Sequence, residues 1–212
     1  MPYVVGVDES GTGSWAGPFH VAAVAADVLP FNQAIGRHLR DSKKLSDAKR
    51  RAAVPLIKEH AVATAVYAVQ VPDINRGPRR AWREAISTVL RSIKMQLWED
   101  ANYNLLIDGP DDDQLIARLR EDHPPPRFEV EGDDKFPAIM AASILAKTAR
   151  NDAMLSLASE FPEYGWERNM GYGTPEHRKA CREHGVTQHH RRRIRSLREC
   201  KGYEPSGEWF EG

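Results

Sequence analysis

The chain has 212 residues, 41% of them hydrophobic, and a formal net charge of zero at neutral pH, enough for one large domain or one domain with a smaller appendage. No run of about 18 apolar residues occurs, which excludes a membrane-spanning helix. Two cysteines, Cys181 and Cys200, are too few for a disulfide framework, and the N-terminus lacks the basic and apolar regions of a signal peptide. A reduced, cytoplasmic setting is expected.

Tyr3 to Asp8 reads as a buried strand, an apolar run that ends in two adjacent acids, Asp8 and Glu9. A glycine-rich loop, Ser10 to Pro18, leads to a second strand from Phe19 to Ala26. Asp41 to Ser46 is a polar connection, and Ser46 is placed to cap a helix running to about His60. Pro55 should kink or divide that helix. Val62 to Val71 reads as a strand, and Pro72 to Pro78 as a break. Trp82, Ala85, Ile86, Val89, Leu90, Ile93 and Leu97 recur at helical spacing and form a core-facing stripe. Tyr103 to Asp108 is another buried strand ending in an acid, and Asp111, Asp112 and Asp113 read as a solvated loop. Arg127 to Glu131 is a short strand delivering Gly132-Asp133-Asp134-Lys135. Pro137 to about Ser159 is a helix rich in small residues. Past Phe161-Pro162 the composition turns aromatic, glycine-rich and then basic, which places a boundary between residues 1–161 and 162–212. Strands mixed with helices at this spacing indicate an α/β or α+β sheet covered by helices.

The zero net charge hides a division. Between Glu99 and Asp134 stand twelve Asp or Glu against three Arg; between Pro175 and Lys201 stand nine Lys or Arg against three Glu. Solvated faces are the usual explanation of such runs, but a metal site beside a phosphate track accounts for both together. Three strand ends deliver carboxylates: Asp8 with Glu9, then Asp108, then Asp133 or Asp134. If those strands are neighbours, four carboxylates meet at one sheet edge and repel one another unless cations intervene. Two Mg2+ ions about 3.5–4 Å apart, one serving the attacking water and one the leaving oxygen, are the known remedy. A lone Asp at a strand end is commonly a turn former, so Asp108 alone supports either reading, while the Asp8–Glu9 pair favours chemistry. Gly11-x-Gly13-x-x-x-Gly17 misses the dinucleotide-binding spacing and has acids where pyrophosphate would sit.

Taken together, these segments resemble the ribonuclease HII family. The resemblance rests on Gly6-Val7-Asp8-Glu9-Ser10-Gly11-Thr12-Gly13 with Ala16-Gly17-Pro18, on Asp41-Ser42-Lys43-Lys44-Leu45, and on Ile107-Asp108-Gly109. It continues through Gly132-Asp133-Asp134-Lys135, Ala141-Ala142-Ser143-Ile144-Leu145-Ala146-Lys147, and Gly171-Tyr172-Gly173-Thr174 with Glu176-His177. It implies an α/β fold, an RNase H-like mixed sheet flanked by helices with a small C-terminal helical appendage. It also implies Mg2+- or Mn2+-dependent hydrolysis of the RNA strand of RNA–DNA hybrids and cutting at ribonucleotides embedded in duplex DNA. The family's catalytic and metal-binding carboxylates fall on Asp8, Glu9, Asp108 and Asp133, which selects Asp133 over Asp134. Gly11, Thr12 and Gly13 fall on the loop that reads the 2′-hydroxyl at an RNA–DNA junction, and Tyr172 on the tyrosine that stacks beneath the following deoxyribose.

Thr12 stands where the family usually has Arg, and it lacks both charge and the bidentate fork. Weaker junction affinity or an altered preference for single ribonucleotides is therefore expected. Lys43, Lys44 and Lys147 are candidates for phosphate contact, and His177 for a proton shuttle or a structural histidine. The tail from His189 to Arg198 should grip duplex backbone in a salt-dependent way. Trp209-Phe210 suggests a weak docking peptide for a replication clamp, and a monomer is expected. Two other readings are a nucleic-acid-binding protein whose acids are structural and a junction-cleaving RNase H-like nuclease. Dependence on Mg2+ separates the first, and dependence on a 2′-hydroxyl the second.

Overall fold

The computed structural model describes residues 3–39, 45–98 and 101–205. Strands β1 (Tyr3–Ser10), β2 (Phe19–Ala26), β3 (Ala63–Val69), β4 (Tyr103–Asp108) and β5 (Arg127–Glu129) form one sheet in the order β3-β2-β1-β4-β5. β1 runs antiparallel to β2 and parallel to β4, and β4 runs parallel to β5. The helices are α1 (Val28–Leu39), α2 (Asp47–His60), α3 (Val71–Arg76), α4 (Pro78–Gln96), α5 (Asp113–Leu119), α6 (Pro137–Glu160), α7 (Trp166–Asn169) and α8 (Pro175–His184). Two units divide the chain. One comprises Met1–Ser10, His20–Tyr67 and Arg83–Ala149; the other comprises Gly11–Phe19, Ala68–Trp82 and Arg150–Gly212.

In the first unit every residue of β2 is buried, as befits a strand with both faces covered. Ala22, Val24 and Ala26 point to one face, where they share a core with Phe31 and Ile35 of α1, Ala53 and Ile57 of α2, and the small-residue stretch Ala141–Ala146 of α6. Asp8 is the β1 partner of Ala22, and Gly6 that of Val24, so both face α6 as well. A Cβ on Gly6 would run into the backbone of Ala138 and Ile139. This glycine therefore lets α6 lie directly on β1. The stripe of α4 is buried as its periodicity requires, with Ala85, Ile86, Val89, Leu90 and Ile93 at 1% exposure or less.

Several local expectations change. Ser46 does cap α2, its hydroxyl accepting from Lys49 N at 3.4 Å. Pro55 does not divide that helix, which runs unbroken from Asp47 to His60 with Ala53 and Ile57 held in the core. Pro72 starts α3 instead of breaking the chain, because a helix's first turn has no use for the missing N–H. Of the three acids Asp111 to Asp113, expected as a solvated loop, Asp111 and Asp113 are exposed, Asp113 at the head of α5, but Asp112 is not. Asp112 is 5% exposed, accepts from Leu115 N at 2.8 Å as the cap of α5, and pairs bidentately with Arg83 at 2.8 and 2.9 Å.

The second unit has its own core of Ala16, Met154, Ala158, Tyr164, Trp166, Ala180, Cys181, Leu197 and Cys200. Thr174 caps α8 by accepting from His177 N at 3.2 Å.

Candidate active site

The parallel register Val7↔Ile107 sets Asp8 and Asp108 side by side at the C-terminal ends of β1 and β4. Glu9 follows Asp8 directly. Asp133 comes from the 3-10 turn Gly132–Asp134 after β5. That turn is tied to the site by Gly132 N, which donates to Asp108 Oδ1 at 2.7 Å, and Asp133 itself is 5% exposed. Three separate elements of the first unit thus bring their acids toward one edge of the sheet.

The Asp8 carboxyl is held well above the usual carboxylate range, first by burial and then by repulsion from Glu9 and Asp108. Two hydrogen bonds oppose this rise, one from the Ser143 hydroxyl and one from Glu9 N to Asp8 Oδ1 at 2.6 Å. Helix geometry explains how Ser143 gets there. With Ile139 seated on Gly6, one helical turn advances about 6 Å to Ser143, nearly the distance of about 6.6 Å that β1 covers from Gly6 to Asp8. Lys147 lies one further turn along the same face of α6 and is partly buried. An all-oxygen set of carboxylates whose charges oppose one another suits a hard divalent cation, and a cation would remove the repulsion that Asp8 experiences.

In the second unit, the loop from Gly11 to Pro18 and the segment around Tyr172 are joined. Trp15 N and Ala16 N both donate to Gly171 O, at 2.8 and 3.1 Å. Two buried arginines hold the assembly: Arg150, which bonds Ser14 Oγ at 2.6 Å and Met170 O, and Arg191, which bonds Gly11 O, Thr12 O and Gly17 O. The Arg150 guanidinium also stacks 4.8 Å from the Tyr172 ring centre, and Tyr172 keeps 43% of its surface exposed. Thr12 and Gly13 are exposed.

His177, considered among the substrate-contacting residues and as a proton shuttle, has no exposed surface. Its Nδ1 lies 2.9 Å from Tyr172 O, and its Nε2 accepts from Trp166 Nε1 at 3.0 Å. It holds the backbone of Tyr172 and does not reach solvent. The basic tail is likewise partly structural. Arg191 is 3% exposed, Arg192 donates to Gly202 O and Glu204 O, and Arg193 donates to Asn75 O. Arg195 and Arg198 are exposed. Lys43, Lys44, Trp209 and Phe210 lie outside the described residues. Ser143, Arg150 and Arg191 were not anticipated as site-building residues. Only Ser143 left a signal, its one-turn spacing from Lys147 in a helix of small residues.

A mixed sheet with carboxylates at the ends of adjacent strands is the architecture of the RNase H-like nucleases. Solved structures agree: a ribonuclease HII from Archaeoglobus fulgidus, in complex with PCNA, superposes with a TM-score of 0.75 at 25% identity, over 90% of this chain and 94% of that one. Ribonuclease HIII from Bst, in complex with Mn2+, superposes at 0.72 and 19% identity, over 93% and 68%, so the fold alone does not separate the two types. The sequence does. The ribonuclease HII family model matches residues 5–197. A ribonuclease HII from Ruegeria sp. is 40% identical over 194 residues, 92% of this chain and 78% of the relative. One from Chlorobium luteolum is 41% identical over 204 residues, 92% and 91%. The chain belongs to the ribonuclease HII family and is a ribonuclease H endonuclease.

Proposed function

We propose that this chain hydrolyses the RNA strand of RNA–DNA hybrids, and cuts at single ribonucleotides in duplex DNA, using divalent cations held by Asp8, Glu9, Asp108 and Asp133. The observation that carries the reading is the side-by-side placement of Asp8 and Asp108 at the ends of β1 and β4, beside Glu9, where burial first and then repulsion from Glu9 and Asp108 raise the pKa of Asp8 with no gain to the fold alone. Mg2+ or Mn2+, two ions in turnover, would supply an activated water and neutralise the charge on the phosphate and leaving oxygen, giving 3′-hydroxyl and 5′-phosphate ends. Asp8, repelled by both Glu9 and Asp108, would gain most from a cation held among the three acids. Ser143 fixes the rotamer of Asp8, and Gly132 N that of Asp108. Lys147, one turn from Ser143 on α6, would contact the phosphate backbone. Tyr172 offers its exposed face to the deoxyribose that follows the ribonucleotide. The neutral Thr12 contributes no charge to this contact. Weak contact with a replication clamp is part of the proposal, supported by the relative solved in complex with PCNA, and the enzyme is taken to be a cytoplasmic monomer that makes this contact through its C-terminus.

The test is cleavage of a duplex containing one ribonucleotide and of an all-RNA hybrid, with Mg2+, with Mn2+ and in EDTA. Cleavage of both substrates that stops in EDTA is expected, and turnover in EDTA overturns the reading. Asp8→Asn should abolish turnover while sparing hybrid binding. It should also raise the metal-free melting temperature, because a folded-state pKa above the unfolded value means that the ionised carboxylate opposes folding at neutral pH. Thr12→Arg should improve cutting at the single ribonucleotide relative to the hybrid.

A further inference from the structure

The buried guanidinium of Arg191 spans three carbonyls of a single loop. Its Nη2 lies 2.7 Å from Gly11 O, its Nη1 2.6 Å from Thr12 O, and its Nε and Nη2 lie 3.1 and 3.0 Å from Gly17 O. A guanidinium is a rigid planar fork of donors, so it fixes the direction of each carbonyl it binds. In a trans peptide the carbonyl of one residue and the N–H of the next point in opposite directions. Turning Gly11 O and Thr12 O inward onto Arg191 therefore turns Thr12 N–H and Gly13 N–H outward. Both of these residues are exposed, while Arg191 is 3% exposed. The two outward amides are consecutive, the arrangement that binds an oxygen ligand through backbone alone.

The same loop is braced from a second side. Arg150 bonds Ser14 Oγ, backs the Tyr172 ring, and occupies the space a Cβ on Gly11 would need. Burial together with repulsion from Arg150 lowers the pKa of Arg191 to about 10, still cationic at neutral pH. The carbonyls thus face a full charge, a stronger hold than a neutral donor gives.

We infer that Arg191 is a positioning residue for substrate discrimination: it orients the Thr12 and Gly13 amides toward the sugar and phosphate oxygens of the ribonucleotide, and so does from behind the loop part of what a charged side chain at position 12 would do from in front. The inference rests on the reading of this loop as the sensor of the ribonucleotide.

The experiment compares Arg191→Lys, Arg191→Met and Tyr172→Ala with the unaltered full-length enzyme. Melting temperature is measured for each, together with kcat and KM on the one-ribonucleotide duplex and on the all-RNA hybrid. The expected result is that Arg191→Met stays folded and that its ratio of one-ribonucleotide to hybrid cleavage falls at least tenfold, mostly through KM. Arg191→Lys should fall by less, since one ammonium keeps the charge but cannot span three carbonyls. An unchanged ratio in both Arg191 variants, with a fall in Tyr172→Ala, overturns the role of Arg191 and leaves the loop reading intact. An unchanged ratio in all three removes the loop reading, and the inference with it. If Arg191→Met does not fold, Arg191→Lys decides. Failure of Arg191→Lys to fold, or equal losses on both substrates, makes Arg191 merely structural and overturns the inference.

Discussion

A methyl group built on Gly13 would meet nothing within 4 Å, whereas one on Gly11 would strike the Arg150 side chain and one on Gly17 would strike Met154. Gly11 and Gly17 also have positive φ, at 92° and 79°, and Gly13 is not among the residues that do. Among the described residues nothing requires glycine at position 13, and on the proposed reading its small size serves a ligand that comes close to the backbone. Gly13→Ala should leave the fold intact, even raising stability by about 0.4–1 kcal/mol through a less flexible unfolded chain, while cutting at a single ribonucleotide falls at least about tenfold, or about 1.4 kcal/mol. Thermal melting and kinetics on the same preparation check both halves. Unimpaired cutting would mean that the loop does not touch substrate. The carboxylates were legible at this scale because a charge that ends an apolar strand is conspicuous. Arg191 was not: as one arginine in a run of three, it acquires its meaning from carbonyls at positions 11, 12 and 17, which folding alone brings to it.

At the level of elements, β1, β2, β4 and α6 could be read from apolar runs and their terminators, since burial on both sheet faces leaves little freedom in their composition. α1 and α5 escaped. The first did so despite its start signals, Asp27 at its head, whose carbonyl accepts from Phe31 N at 3.0 Å, and Pro30 in its first turn; the second begins among three acids that look like surface. Asp112 belongs to neither surface nor active site. It caps α5 and locks Arg83 of α4 in a bidentate pair, with side chains only 4% and 15% exposed. Removing one partner of such a pair leaves the other without compensation. Asp112→Ala should cost about 3 kcal/mol, combining the pair with the lost cap, whereas the same change at the exposed Asp111 should cost less than about 0.5 kcal/mol. Urea denaturation of both variants, with catalytic rate as control, separates this structural acid from the acids proposed to hold the cations.

Across the molecule, the aromatic and histidine-rich core of the second unit sets the response to acid. Burial, followed by repulsion from His177, His189 and Arg192, pushes His190 down to about 3, and burial lowers His177 as well. In the unfolded chain both titrate near about 6.5. A depressed folded-state pKa means that protons favour the unfolded chain, so the stability from these residues is complete above about pH 6.5 and is lost as the pH falls toward about 3. Melting temperature should drop steadily between pH 6.5 and 4, and the slope should flatten in His190→Gln; an equal slope would place the acid sensitivity elsewhere. The pairing of β1 with β4 has a consequence of a different order, in the sequence of events during synthesis. Val7 and Ile107 are partners, so Asp8 and Asp108 become neighbours only after the chain closes a loop of about 100 residues, a slow step whose entropic cost precedes its contacts. A nascent chain that has not yet released β4 from the ribosome carries Asp8 and Glu9 without Asp108 and Asp133, the other two carboxylates of the proposed site. On the proposed reading, the acids that would hold the cations are all present only once the chain has been made as far as Asp133 of its 212 residues.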